Sequence, residues 1–408
     1  MKILAVTQSY FPFLERGGPA VKVRALARGL AAHGHEVTVL TADLGHGCRD
    51  DLGEPGPWGW QNVQPNLETI YLPTALTFRA LTLNSRLPRF CRDRLRNYDL
   101  VHVYGLYDLI GPAVAWFARR RGLPYLVEPM GMYRPIDRSF FLKAVWRRAF
   151  GNRMIASAWR LVVTSELERD DLIEGNVPTG RIRLRYNPID LAEYQTLPPR
   201  GEFRRRWRIP EGEPLILFLS RLIPRKGADL LMEAFREALP EQGVLVIAGP
   251  EGESGYLAHL HQVAERCGVL DRIRFVGGIY GEEKKEALAD ADIFALPSSY
   301  ENFANAVAES VASGVPVIVT DRCGIHSLVN GRAGIVVPRE KHAIAEAIRR
   351  LTQDQAFCER LRRGCRAVAD ELSLEKTVAA LEAIYAESGR GWSSRAGESG
   401  AAQKKDSF

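Results

Sequence analysis

Apolar positions along this chain follow two rhythms. Short unbroken apolar runs, as in parallel strands buried on both faces, alternate with stretches where apolar residues return every three or four positions. Lys2–Thr7 is the first run. A loop with Pro12, Gly17, Gly18 and Pro19 follows, and Val23, Leu26, Ala27, Leu30 and Ala31 then fall on one helical face. Gly34 stops that helix, and Glu36–Thr41 is the second run. Strand, helix, strand implies parallel pairing with a right-handed crossover. Further runs at Leu67–Leu72, Leu100–Tyr104, Tyr125–Glu128, Leu161–Thr164 and Ile182–Tyr186 continue the pattern.

Leu197–Arg208, with Pro198, Pro199 and an arginine cluster, reads as an interdomain linker or its approach, and the same grammar restarts beyond it. Strands are expected at Leu215–Ser220, Val244–Ala248, Ile273–Val276, Ile293–Leu296, Val315–Val319 and Ile335–Val337. One long charged helical region fills Ala343–Leu372, and an amphipathic helix covers Leu374–Ala386. The expected division is residues 1–195, residues 196–370, a helix within 371–387 that packs back on the first half, and a disordered tail over 388–408. The fold class is α/β: two Rossmann-like, doubly wound domains facing across a cleft. Open α/β sheets bind ligands at the carboxyl ends of their strands.

Composition narrows the function. Of 408 residues, 46% are apolar and 25% charged, so the chain can build two packed cores. The net charge of +6 suits phosphates or an anionic membrane surface and does not call for nucleic acid. The six cysteines form no C-x-x-C pair, so neither zinc nor a redox dithiol is indicated. No apolar stretch has a signal peptide's or a membrane span's length, and the expected location is cytoplasmic. P-loop, nucleophile-elbow and H-E-x-x-H signatures are all missing, as is a full G-x-G-x-x-G after the first strand.

Two stretches carry chemistry. In SSYENFANAVAES, Glu301 follows an expected strand and Pro297, and Glu309 lies eight positions on in a helix. If wholly helical, that spacing separates them by about 12 Å, roughly the span from a nucleotide's ribose to the sugar beyond its diphosphate. The amides of Phe303, Ala304 and Asn305 fall near the helix start, where backbone donors favour an anion. In LSRLIPRKG, Arg221 and Lys226 sit where a strand ends and a helix opens, a fork and a compact charge suited to a diphosphate.

With these residues in place, the sequence resembles family 4 of the retaining glycosyltransferases, group 1, with the GT-B fold. The Gly17-Gly18 loop, Gly34-His35-Glu36-Val37, Asn187-Pro188-Ile189-Asp190, Ser220-Arg221 with Lys226-Gly227, Ala248-Gly249-Pro250, Phe275-Val276-Gly277, Ala291-Asp292 with Pro297-Ser298, and the Glu301/Glu309 pair all fall in the family's order. The resemblance implies that Glu309 grips the ribose of a UDP- or GDP-linked sugar and Glu301 contacts sugar hydroxyls. Arg221 and Lys226 would hold the diphosphate, Gly277 and Gly278 would pack on the base, and Gly17 and Gly18 would contribute to donor binding. It makes the first half the acceptor side and the second the donor side. It further implies transfer to a glycan or lipid-linked acceptor in cell-surface polysaccharide synthesis. No carboxylate of the first half is placed as a covalent nucleophile, which favours same-face displacement with retention and without metal or other cofactor.

Departures qualify the likeness. Tyr104 stands where many relatives have the second histidine of His-x-His, and Met130 stands where many have histidine. That leaves His102 as the first half's catalytic candidate, or else a core residue of a buried strand. Ala304 replaces a frequent glycine. Asp290-Ala291-Asp292 has the form of a metal-binding D-x-D, but its place at a helix–strand junction fits capping or solvation. His259 and His261, two apart on a helix, share no face. The aromatic and basic run Arg138–Arg153, with Arg119–Arg121, is either a face for peripheral contact with the inner membrane or an ordinary packed helix. Rival functions are a nucleotide-sugar epimerase on the same fold and a non-catalytic nucleotide-binding protein.

Overall fold

The computed structural model describes residues 1–13, 18–45, 50–78, 81–134 and 144–388. Gly17, residues 138–143 of the basic-aromatic run and the tail beyond Ser388 lie outside the described residues. The chain divides into two units.

The first unit is Met1–Pro188 together with the chain from Leu374. Its strands are β1 (Lys2–Thr7), β2 (Glu36–Ala42), β3 (Glu54–Gly56), β4 (Gly59–Gln64), β5 (Leu67–Leu72), β6 (Thr74–Phe78), β7 (Leu81–Asn84), β8 (Leu100–Tyr104), β9 (Tyr125–Glu128), β10 (Arg160–Val163) and β11 (Ile182–Leu184). Nine of them form one sheet, ordered β11-β10-β9-β8-β1-β2-β5-β4-β3, and β6 and β7 form a separate hairpin. All pairs from β11 to β5 are parallel; β4 and β3 add an antiparallel edge. The order reverses between β1 and β8, which opens a switch point at their carboxyl ends.

The helix Gly18–Ala32 covers one face of this sheet through Val23, Leu26, Ala27, Leu30 and Ala31. Gly34 adopts φ +85°. Its N–H bonds Ala31 O at 3.0 Å while His35 N–H bonds Leu30 O at 3.1 Å. This paired closure needs a left-handed residue, which glycine adopts without strain. The helix Leu374–Ala386 packs back on Gly18–Ala32 through Val378, Leu381 and Tyr385, all buried. Glu382 completes the contact by accepting from His35 Nε2 at 2.9 Å and His33 Nδ1 at 3.1 Å.

Beneath the switch point lies a buried charge cluster that the sequence did not announce. Glu128, at the end of β9, pairs with Lys22 and Arg185, all three buried. His102, inside β8, puts Nε2 3.7 Å from Glu128. Its Nδ1 meets the Tyr385 hydroxyl at 2.7 Å, and its ring stacks on Tyr104 at 4.0 Å. Burial pushes His102 down to about 3, against the pull of Glu128. Burial would raise Glu128, but Arg185 and Lys22 outweigh it and hold the carboxyl at about 2.

The second unit, Ile189–Ser373, contains β12 (Leu215–Leu219), β13 (Val244–Ala248), β14 (Ile273–Gly277), β15 (Ile293–Leu296), β16 (Val317–Thr320) and β17 (Gly334–Val337). They form a wholly parallel sheet in the order β14-β13-β12-β15-β16-β17. Its switch point lies between β12 and β15. The boundary thus falls at Pro188 rather than 195, and the return at Leu374 rather than 371.

Two expectations are corrected. Leu197–Arg208 is not a linker: it contains the helix Glu202–Arg206, anchored by fully buried Phe203 and by buried Arg204. Asp290 caps that helix, its carboxylate accepting from the N–H groups of Gly201 (2.5 Å) and Arg204 (2.9 Å). The long helical region is two helices, Lys341–Gln353 and Gln355–Glu371. They are parted at Asp354, whose side chain accepts from Phe357 N–H at 2.9 Å. The edge strands β3 and β4 and the β6–β7 hairpin were not foreseen.

Two predictions follow from this core. A methyl group on Gly29 would lie 2.6 Å from Val378 Cγ2, and valine is stiff at χ1. Gly29→Leu should therefore cost about 1–3 kcal/mol by overpacking, read from urea unfolding. The second concerns pH. Unfolded His102 takes up a proton near 6.5, while the folded side chain resists down to about 3. Its contribution is present above pH 6.5 and is lost as pH falls from there toward 3. Glu128 adds an acid-sensitive contribution that is lost only below the ordinary glutamate range. Between pH 6.5 and 5, His102→Gln should flatten the fall in unfolding free energy by up to about 1.4 kcal/mol per pH unit. An unchanged slope would mean that His102 does not stay neutral.

Candidate functional site

The switch point of the second unit gathers the predicted chemistry because two backbones meet there without side chains between them. β12 ends at Leu219, and the chain passes through Arg221 and the turn Pro224–Lys226 to Gly227. Gly227 has φ +74°, and a Cβ there would stand 2.5 Å from Pro297 O, just beyond β15. Only glycine allows this approach. Hydrogen bonds lock it: Ser299 N–H bonds Arg225 O at 2.9 Å, and the Ser298 hydroxyl donates to the same carbonyl at 3.1 Å. Gly249 does the same for β13, where a Cβ would meet Ser220 O at 1.8 Å.

On this frame Lys226, buried, forms an ion pair with Glu301. Glu301 is itself fixed by its backbone. Its N–H bonds Arg322 O at 2.9 Å, and its carbonyl accepts from Gly324 N–H at 2.9 Å. Arg221 is exposed at the mouth of the same loop.

The helix runs Asn305–Ala312, so Glu301 precedes it and the wholly helical spacing does not hold. Phe303 is buried, and Ala304 caps the helix with φ +73° and ψ +74°. A helix start leaves first-turn N–H groups outside its own bonding and carries positive potential. Glu309, on the second turn, pairs with Lys284 Nζ at 3.0 Å. Burial and the Glu309 charge both raise the Tyr194 hydroxyl, which places Tyr194 in the field of that glutamate. Lys284 and Tyr194 were missed: a lysine in a Glu- and Lys-rich helix and a lone tyrosine carry no motif. Gly277 closes β14 with φ +71°, its carbonyl accepting from Gly249 N–H at 2.6 Å, and Gly278 follows.

The other candidates separate from this site. His102 is sealed in the first unit's core with its Nδ1 on the Tyr385 hydroxyl, so the structure gives it the core place that was the alternative to a catalytic one. Asp292 is bonded by Arg204 (2.9 Å), Arg200 (2.7 Å) and Leu215 N–H (2.9 Å), so the D-x-D pair is structural. Among the described residues no cluster of His, Cys, Asp and Glu has the form of a metal site. His259 and His261 lie exposed, His261 against Phe275. Gly18 opens the first unit's leading helix.

The first unit's switch point holds a cavity of about 180 Å³ lined by Thr7, Ser9, Tyr104, Asp108, Met130 and Met132, among others. Asp108 accepts from Gly111 N–H at 2.6 Å, and burial, opposed by that bond, pushes its carboxyl up to about 6. Among the described residues no helix is long and apolar enough to cross a membrane.

Comparison with known proteins adds the following. The family model described as Glycosyl transferases group 1 matches residues 199–368, and Glycosyl transferase 4-like domain matches residues 17–188. The chain is 30% identical over 405 residues to a D-inositol 3-phosphate glycosyltransferase of Streptomyces bingchenggensis, covering 93% of this chain and 86% of that one. It is 26% identical to a GDP-mannose-dependent alpha-mannosyltransferase of Mycobacterium tuberculosis, covering 87% and 89%. Among solved structures, Anabaena HepE in complex with UDP superposes with a TM-score of 0.74 at 20% identity, covering 95% of this chain and all of that one. WaaG, a glycosyltransferase involved in lipopolysaccharide biosynthesis, does so at 0.63 and 19%, covering 93% and 98%. At these identities the structural likeness establishes the fold.

Proposed function

The chain belongs to the group 1 glycosyltransferases and has their GT-B fold, and from that premise we propose that it moves a hexosyl unit from a UDP- or GDP-linked sugar to a glycan or lipid-linked acceptor with retention at the anomeric carbon. The observation that carries this reading is the second unit's switch point, where Lys226–Glu301 and Lys284–Glu309 flank one helix start. A diphosphate there replaces Glu301 as the partner of Lys226 and takes Arg221 as a fork. Glu301 is then released toward sugar hydroxyls, while Glu309 accepts from the ribose. As the glycosidic bond to the diphosphate breaks, negative charge grows on the leaving oxygen. Lys226, Arg221 and the helix amides offset it without reorganising. Neither glutamate is asked to attack carbon. The acceptor hydroxyl enters on the face the diphosphate leaves, and its proton passes to the departing phosphate oxygen.

The relatives named for inositol 3-phosphate and GDP-mannose support an acceptor rich in hydroxyls and a nucleoside diphosphate donor. A lipid-linked acceptor in surface polysaccharide synthesis would bring the first unit to the inner membrane face. The epimerase alternative is weakened by His102, whose burial removes the proton carrier it needed. Donor incubated without acceptor would yield a new sugar nucleotide only if that alternative held.

Two predictions test the site. Transfer should persist in EDTA, because fixed cations stand where a metal would otherwise neutralise the diphosphate; loss restored by manganese would overturn this. Glu309→Gln should weaken the bare nucleoside diphosphate ten-fold or more, since hydrogen bonds to charged groups are worth about 1.5–3 kcal/mol each. Glu301→Gln should change that affinity by less than about three-fold, under 1 kcal/mol, while transfer from the full donor collapses. Calorimetry with the bare diphosphate and a transfer assay read both. Equal weakening by the two substitutions would show that the donor lies the other way round.

A further inference from the structure

We propose that an apolar cavity in the first unit seats the hydrocarbon tail of one anionic membrane lipid, its phosphate held by Arg119 and Arg153. The proposal deepens the membrane-face reading above and rests on it. The cavity measures about 590 Å³, within the ~300–1,000 Å³ range of small-molecule sites. It lies between the helix Ile110–Arg120, strand β7 and the helical stretch 147–157. Leu87, Leu109, Phe117 and Met154 wall it, and Trp116 and Phe150 stand at its edge with 40% and 47% of their surface in water. The β6–β7 hairpin, which lends Leu83 to the wall, also exposes Leu76 and Phe78. Large apolar side chains grouped in solvent in this way mark a docking surface.

Charge decides the occupant. The residues that line the cavity include two arginines, Arg119 and Arg153, and no aspartate or glutamate. Arg119 and Arg153 line the cavity itself, and Arg120 lies over the Trp116 ring at 4.0 Å. Among the described residues none of these three pairs with a carboxylate. An anionic lipid answers both demands: its tail fills the apolar space, and its phosphate meets guanidinium forks that bind such oxygens in pairs. An uncharged apolar partner would leave Arg119 and Arg153 unanswered. A free phosphate would leave the cavity unfilled.

The test titrates dodecyl phosphate, below its micelle threshold, into the full chain by calorimetry, with a nucleoside diphosphate titrated in parallel. One saturable site is expected. Each buried methylene is worth about 0.8 kcal/mol, so decyl phosphate should bind roughly ten-fold more weakly. Dodecanol should also bind at least ten-fold more weakly, and inorganic phosphate should not bind there. Ala149→Trp, on the cavity's exposed wall, should weaken dodecyl phosphate ten-fold or more by filling the space. Arg119→Gln with Arg153→Gln should erase its advantage over dodecanol. Both variants should bind the nucleoside diphosphate as the parent does. Absence of dodecyl phosphate binding overturns the proposal, as do equal affinity for dodecanol and indifference to Ala149→Trp. If the nucleoside diphosphate binds while dodecyl phosphate does not, the lipid seat fails and the donor reading stands. The reverse result sinks the donor reading and keeps the seat.

Discussion

A parallel sheet that reverses its strand order must bring two outgoing chains past each other where no strand pairs them, and in the second unit that passage is a backbone contact. Gly227 approaches Pro297 O so closely that no side chain fits. Everything distinctive about the site follows from this. Lys226 precedes the glycine and Glu301 follows the proline by four residues, so the contact delivers an ammonium and a carboxylate to one point. Lys226 is buried, and an isolated buried ammonium would be costly. Glu301 supplies its counter-charge; in the proposed reading an anion of the substrate takes over that role. The pair ties the loop after β12 to the loop after β15; if that is the shape the ligand meets, it lowers the entropy that binding must overcome.

The first unit solves a different problem with charges in its core. Glu128 ends a strand whose carboxylate faces inward, and leaving it unpaired there would cost several kcal/mol. Lys22 comes from the leading helix and Arg185 from just beyond β11, so one carboxylate ties together elements far apart in sequence. Such clusters are weak sources of net stability, because desolvation offsets much of their attraction. What they provide is register: a helix rotated by one residue would bury Lys22 or Val23 against the wrong partner. Tyr385 on the returning helix joins the same group through His102, so docking of the return helix and placement of the leading helix are coupled.

The sequence made most of the sheet legible because a strand buried on both faces is a continuous apolar run, and nearly every such run here became a strand. The edge strands β3 and β4 escaped because GWQNVQ is half polar, as a strand near a solvated edge can be. The linker reading of Leu197–Arg208 failed because its prolines and arginines are local signals. The anchors are tertiary: Phe203 in the core and Asp290 reaching across some ninety positions to cap the helix. The Glu301 and Lys226 motifs were readable because chemistry at strand ends sits in short contiguous stretches. Lys284, Tyr194 and the Lys22–Glu128–Arg185 cluster were not, since each is assembled from single residues on separate elements. His102 shows the converse. A histidine on a strand looks the same whether it faces a cavity or the core, and only the packed structure distinguishes them.

Backbone strain gathers at the two switch points. Among the described residues six non-glycines adopt positive φ: Leu44, Asn66, Met130, Asn176, Arg208 and Ala304. The two asparagines tolerate that region through their short polar side chains. Arg208 lies in the turn closing the short helix Glu202–Arg206, where Ile209 N–H bonds Arg204 O. The other three are apolar, their side chains offer no hydrogen bond to offset the strain, and each costs about 1–2 kcal/mol. They are not scattered. Leu44 and Met130 line the cavity at the first unit's switch point, and Ala304 caps the helix at the second's. A sequence free to remove this strain would place glycine at these positions. An alanine at φ +73° instead restricts the peptide on either side of it, which glycine would let swing. Three of the strained residues therefore lie at the two switch points, and the rest of each sheet supplies the packing that keeps them in place.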